Sequence, residues 1–133
     1  MQEMLSEHQK EILEANRSFY AAFEKLSTER MAEVWCRAAD AMCIHPGRTA
    51  IVGYEDVMES WRLVFSATSY MEIDIREPVV YAGVDLGVVH CLESVMAVSG
   101  GQTNRGMIRA SNVFRKEDDN WKILIHHGGP AGQ

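Results

Sequence analysis

Glu93 is the residue in this chain whose position is hardest to explain without chemistry. It lies in a run where Val89, Cys91, Val95 and Ala97 alternate with their neighbours, on a strand face that carries no other charge. A carboxylate there either lines a pocket or is buried with a partner, because an unpaired buried charge is too costly to keep. Desolvation raises the pKa of such a group and suits it to moving a proton. The structural alternative is an ion pair with Arg105 or Arg109, or a place in a subunit contact. Asn112 shares the apolar face of the next strand with Ile108, Ala110 and Phe114. Its amide is placed either to bond a ligand carbonyl, to steady Glu93, or to satisfy neighbouring backbone.

Histidines form the second group of candidates. His45 follows Cys43 by two, so both project from one side of a short strand. Adjacent His126 and His127 point to opposite faces of theirs. By parity His127 goes with Trp121, Ile123 and Ile125, which makes it the expected pocket residue and puts His126 on the outer face. Trp61, Tyr54 and Phe65 read first as core, with Trp61 also a candidate pocket wall; Tyr20 lies near the apolar stripe of a helix and offers a hydroxyl inward. Cys-x-His supplies only two potential ligands, and there is no HExxH, CxxC or carboxylate cluster, so no metal and no cofactor are expected. The absence of a P-loop, G-x-G-x-x-G and G-x-S-x-G argues against phosphoryl transfer, dinucleotide binding and acyl hydrolysis.

These residues need elements to hold them. Leu5, Ile12, Phe19 and Leu26 recur every seven residues, with Ala15, Ala22 and Phe23 widening the stripe, so the spacing predicts a long first helix. Ser27 or Thr28 caps a second helix whose apolar face is Met31, Val34, Trp35 and Ala38. A third follows Gly53, with Tyr54, Val57, Met58, Trp61, Val64 and Phe65 on one face. A short strand, Ala41 to His45, is expected between the second and third helices. After Phe65 the period becomes two: Met71, Ile73 and Ile75 begin a strand that Pro78 bends or marks as an edge. Strands from about Leu86 to Val98, Thr103 to Lys116 and Trp121 to His127 follow, joined by short polar turns that make them antiparallel neighbours.

Composition sets the outer limits. The chain has 133 residues and reads as one domain over 1–133. A net charge of −6 with scattered basic residues argues against nucleic-acid and anionic-membrane partners. No secretory signal or membrane span is visible, and Cys36, Cys43 and Cys91 form no disulfide framework, so a cytoplasmic protein is expected.

Helix, helix, short strand, helix, then four antiparallel strands is the order of the nuclear transport factor 2-like superfamily. Local sequence resembles its SnoaL-like branch at Cys43-Ile44-His45-Pro46-Gly47, Gly53-Tyr54-Glu55-Asp56-Val57-Met58-Glu59-Ser60-Trp61, Ser111-Asn112-Val113-Phe114 and Trp121-Lys122-Ile123-Leu124-Ile125-His126-His127. The chain departs from that branch where Gly128-Gly129-Pro130 replaces a Ser-Pro, so no hydroxyl is carried over there. The resemblance implies an α+β fold, with three N-terminal helices packed on a strongly curved antiparallel sheet to form a cone-shaped α+β barrel. It also implies a small-molecule pocket, suited to a cofactor-free isomerase, cyclase or dehydratase that moves a proton on an apolar carbonyl compound. In that reading Glu93 or His127 is the base, while Asn112, His45 or a tyrosine hydroxyl steadies the enolate. The alternative is a noncatalytic ligand-binding or oligomerisation domain, since the superfamily hosts both.

Two of the strands carry apolar residues on both faces, which a sheet wetted on one side does not; in the one from Leu86 to Val98, Val89, Val95 and Ala97 share one face and Val88, Leu92 and Met96 the other. The expectation is a homodimer through the outer sheet face. Light scattering at micromolar concentration is expected to give twice the monomer mass, and a monomer mass would refute the arrangement.

Overall fold

A computed structural model describes residues 4–132. The first helix, α1 (Glu7–Glu24), starts at Ser6, whose side chain accepts from the Gln9 backbone while the Gln9 side chain accepts from the Ser6 backbone, a capping box. It ends at Glu24, and Leu26 just beyond takes a φ of 54° that no helix continues. Ile12, Asn16, Phe19, Tyr20 and Ala22 are its buried residues. Leu5, expected on the stripe, lies before the cap and is exposed. The helix α2 (Thr28–Val34) is capped by Ser27 and stops earlier than its apolar pattern suggests. Trp35 is already extended and bridges in parallel to Ile123. The third, α3 (Tyr54–Ser66), buries Val57, Trp61 and Phe65, one residue per turn of the stripe.

The strands are β1 (Met42–Ile44), β2 (Ile51–Val52), β3 (Tyr70–Ala82), β4 (Leu86–Ser99), β5 (Gln102–Glu117) and β6 (Asn120–Pro130). They form one open sheet in the order β2-β1-β6-β5-β4-β3. The four long strands run antiparallel, as their turns require. β1 lies parallel to β6, because no hairpin links the two and the chain enters β1 from α2. β2, a two-residue strand paired to β1, has no alternating pattern to announce it. Pro78 does two things at once: β3 is a sheet edge, and its register shifts between Arg76 and Val79, where Glu77 takes a φ of 53°.

The helices cover one face of the curved sheet and meet it in an aromatic cluster. Phe19 packs edge-on against Trp61 at 5.7 Å and Trp35 at 6.3 Å, and Phe23 against Trp61 at 4.7 Å between ring centroids. Trp61 is fully buried and also touches Phe65 and two histidines. Trp61→Ala is therefore expected to cost about 3–5 kcal/mol in a denaturant melt. A loss under about 1 kcal/mol would mean that α3 does not seal this core.

Candidate functional site

Alternation places Val89, Cys91 and Glu93 on the face of β4 that meets the helices, and the register brings β5 and β6 alongside in rows. One row runs Val89, Asn112, His126, Cys43 across four strands. A second holds Cys91, Ala110 and Gly128, and α1 meets its Cys91 end, where the Tyr20 oxygen lies 3.5 Å from Sγ. There α1 directs Asn16 and Tyr20, one turn apart on the same face.

The outcome is a buried polar chain. The Tyr20 hydroxyl donates to Glu93 Oε2 at 2.5 Å. Asn112 Nδ2 donates to the Tyr20 oxygen at 3.0 Å and to Asn16 Oδ1 at 2.9 Å. His126 Nδ1 lies 2.6 Å from Asn112 Oδ1. Glu93 is 3% exposed, Asn112 0% and His126 2%. Neither Arg109 nor Arg105 pairs with Glu93: they stand opposite Leu92 and Met96, on the other face. Burial without a cation pushes the Glu93 carboxyl up to about 7, although the Tyr20 hydrogen bond pulls the other way. Burial and the neighbouring Glu93 raise the Tyr20 hydroxyl far above the usual phenol range. Burial, with the nearby imidazoles of His45 and His127, pushes His126 down to about 3, so it is neutral.

Glu93, Tyr20 and Asn112 thus come together, joined by a histidine that parity assigns to the other side. The correction has a local cause. The β5–β6 register pairs Val113 with Ile125 but Phe114 with Ile123, leaving Leu124 as an extra residue. Ile123 and Leu124 are both buried, and the alternation inverts beyond them. His126 therefore points into the core, while His127 is exposed on the outer face beside Ser111. Asn16 is the other member that pattern reading passes over; its spacing of four from both Ile12 and Tyr20 is the signal that places it on the buried stripe.

His45 and Trp61 form a neighbouring group instead of joining the chain. Ser60 Oγ spends its one hydrogen on the Val57 carbonyl at 2.7 Å, so it accepts from His45 Nε2 at 3.0 Å. Burial and Arg48 lower the pKa of His45. The His45 and Trp61 rings are 4.8 Å apart. Trp61 Nε1 is buried with no hydrogen-bond partner.

A cleft of about 450 Å³ opens between α1 and β3, lined by Leu13, Asn16, Tyr20, Ile73, Ile75 and Pro78, with Arg17 and Glu24 also on its wall. Ile75 is the register partner of Glu93, so the cleft lies one strand away from the carboxylate. A larger hollow of about 940 Å³ lies over the other side of the sheet near Glu72, Met96 and Arg105, away from the polar chain. Among the described residues no group of three His, Cys, Asp or Glu side chains is arranged to hold a metal ion.

Residues 12–131 match the family model for the SnoaL-like domain. A protein from Streptomyces avermitilis, described as a dehydratase of the nuclear transport factor 2-like family, superposes with a TM-score of 0.87 at 28% identity, covering 94% of this chain and 96% of that one. A protein from Thiobacillus denitrificans, described as a calcium/calmodulin-dependent protein kinase type II association domain, superposes with a TM-score of 0.75 at 31% identity, covering 89% and 93%. F-box protein SKIP8 of Arabidopsis thaliana is 23% identical over 116 residues, which are 87% of this chain and 48% of that protein. The chain spans about half the length of that curated relative.

The two buried titrating groups make a stability prediction. Glu93 rises from an ordinary 4.5 to about 7, so its contribution is full below 4.5 and is lost as pH climbs through 7. His126 falls from 6.5 to about 3, so its contribution is full above 6.5 and is lost as pH drops toward 3. Between pH 4.5 and 6.5 the two slopes oppose each other. In Glu93→Gln only the histidine slope remains. Unfolding free energy in that window is expected to rise with pH more steeply than in the wild type, by up to about 1.4 kcal/mol per pH unit. Equal slopes in urea melts would show that Glu93 titrates as a free carboxylate.

Proposed function

Because the chain belongs to the SnoaL-like domain family, we propose that it is a cofactor-free enzyme that moves a proton on a small apolar carbonyl compound, with Glu93 as the acid–base group and Tyr20 as its partner. The observation that carries this is the Glu93–Tyr20 contact of 2.5 Å, made by a buried carboxyl held near pH 7 with no cation beside it. A general base works best when its pKa lies near the working pH.

The contact also suggests how the two groups share the reaction. Ionised Glu93 accepts the Tyr20 hydrogen. When Glu93 takes a proton from the carbon beside the substrate carbonyl, it becomes a donor to the Tyr20 oxygen. The Tyr20 hydroxyl is then released to donate to the enolate oxygen, where charge has developed. Asn112 Nδ2, already on the Tyr20 oxygen, holds the ring in place through the change. Return of a proton from Glu93, which exchanges with solvent between the two steps, to a conjugated carbon completes an isomerisation with no net proton consumed. The apolar cleft between α1 and β3, with Asn16 and Tyr20 on its wall, is the approach this reading requires. The dehydratase description of the Streptomyces avermitilis relative supports a proton-transfer reaction class.

A second reading, a noncatalytic ligand-binding or oligomerisation domain, is favoured by a different observation. Glu93, Tyr20, Asn112, Asn16 and His126 already bond to one another and are all buried. The description of the Thiobacillus denitrificans relative as an association domain points the same way. In either reading we propose a homodimer through the outer face of the sheet, where Leu92, Met96, Val98, Met107 and Val113 stand among His90, Ser111 and His127. Three free, buried cysteines fit the proposed cytoplasmic setting.

The test uses cyclohex-3-enone and bicyclic β,γ-unsaturated ketones as probes in deuterated water. The wild type is expected to incorporate deuterium and shift the double bond. Glu93→Gln is expected to slow both by about 10²–10⁴-fold, and Tyr20→Phe to slow them by less. Equal rates in wild type and Glu93→Gln, with the probes still shifting cleft resonances, would favour the binding module.

A further inference from the structure

We propose that Trp61 Nε1 and His126 Nε2 form a hydroxyl-binding subsite, filled by a single O–H group that accepts from the indole and donates to the imidazole. The first observation is the orphaned donor. Trp61 is fully buried, and its N–H has no acceptor. Folded proteins avoid this arrangement unless an unseen partner supplies the bond.

The second observation is the direction of the polar chain. Asn112 uses its amide hydrogens on Asn16 and Tyr20, which leaves Oδ1, an acceptor only, facing His126 Nδ1. The neutral imidazole therefore carries its proton on Nδ1. Its Nε2 is left as a bare acceptor, and among the described residues no side-chain or backbone donor is bonded to it.

The two rings stand beside each other with centroids 5.8 Å apart, and no direct hydrogen bond joins them. A single oxygen bonded at about 2.9 Å to each nitrogen is the bridge that the proposal requires between these neighbouring rings. The pairing of one donor with one acceptor selects a group that is both, which is water or the hydroxyl of an alcohol or phenol. Phe19, Phe23 and Phe65 pack around the indole and offer nothing to stabilise an ion, so the class is neutral. His45, 4.8 Å from Trp61, does not compete for the indole hydrogen through Nε2, because that nitrogen already donates to Ser60.

The subsite depends on the direction of the hydrogen-bond chain and not on any proton transfer by Glu93, and its test involves no turnover. Long-range nitrogen–proton correlation of the labelled wild type is expected to show His126 protonated at Nδ1 and bare at Nε2. A cross-peak from water to the Trp61 indole proton identifies a resident water as the occupant. Saturable replacement of that peak by phenol, with His126 Nε2 and the indole proton shifting together, identifies a ligand hydroxyl. Trp61→Phe keeps a ring and is expected to abolish the phenol shift at His126. The proposal fails if His126 carries its proton on Nε2, if the indole proton answers neither water nor phenol, or if phenol still shifts His126 in Trp61→Phe. Should Trp61→Phe not fold, the tautomer and water measurements on the wild type decide the matter.

Discussion

Everything around Glu93 follows from burying a carboxyl with no cation in reach. Arg105 and Arg109 are held on the opposite face by strict alternation of β5, so the protein offers a hydroxyl instead. A neutral donor compensates a buried carboxylate less than an arginine does, and the group keeps a proton to higher pH as a result. That one substitution of partner fixes where α1 must lie. Tyr20 reaches Glu93 only if the helix lies over β4 beside Cys91, and Gly87 on that strand leaves the room that Ile12 of the helix takes up. With the helix there, Asn16 comes to rest one turn earlier, and Asn112 finds two acceptors for its two hydrogens.

The aromatic cluster is the complement of this arrangement. Phe19 sits beside Tyr20 on α1 and contacts Trp35, Trp61 and His126, so the residue that seals the core is sequence neighbour to the residue that serves the polar chain. Excluding water strengthens each bond in the chain and raises the cost of any bond left unmade. The open edge of the sheet is managed in the same region: Glu24 Oε2 accepts from the Ile73 backbone N–H, which covers part of β3 with a charge from α1. The α1–β3 cleft is thus bounded by an element that is tied down at one end and bulged at Glu77 and Pro78 at the other.

How much of this was legible in the sequence depends on whether periodicity survived. In β4 and β5 the alternation is unbroken over the relevant residues, so the faces that the sequence assigns to Glu93 and Asn112 are the ones they occupy. Tyr20 is legible because α1 is regular. His126 is not, because the extra residue at Leu124 inverts parity between Trp121 and the histidines, and nothing in Ile123-Leu124-Ile125 distinguishes a bulge from a continuous apolar run. Asn16 escapes because one amide in a stripe of Ile12, Phe19 and Tyr20 looks like the edge of the stripe until its partner on β5 is known. β1's parallel pairing and β2's existence rest on contacts between distant segments, which local pattern does not encode.

The polar chain is not what holds the fold together. Apolar residues of similar volume at all five members, Glu93, Tyr20, Asn16, Asn112 and His126, would remove their desolvation costs together, and buried polar groups replaced as a set are often neutral or stabilising, whereas replacing only some would leave the others unpaired. What the chain supplies is direction: each member has its donor and acceptor assigned by the next, from the imidazole through the amide and the phenol to the carboxyl. In the proposed reaction a change of protonation at Glu93 reverses the bond to Tyr20 and releases a hydroxyl, and an apolar core has no counterpart to that event. The molecule therefore carries, at the centre of its best-packed region, an arrangement with two hydrogen-bonding states separated by one proton. That is the physical property on which the proposed proton transfer depends, because the same two groups serve the ionised and the protonated state.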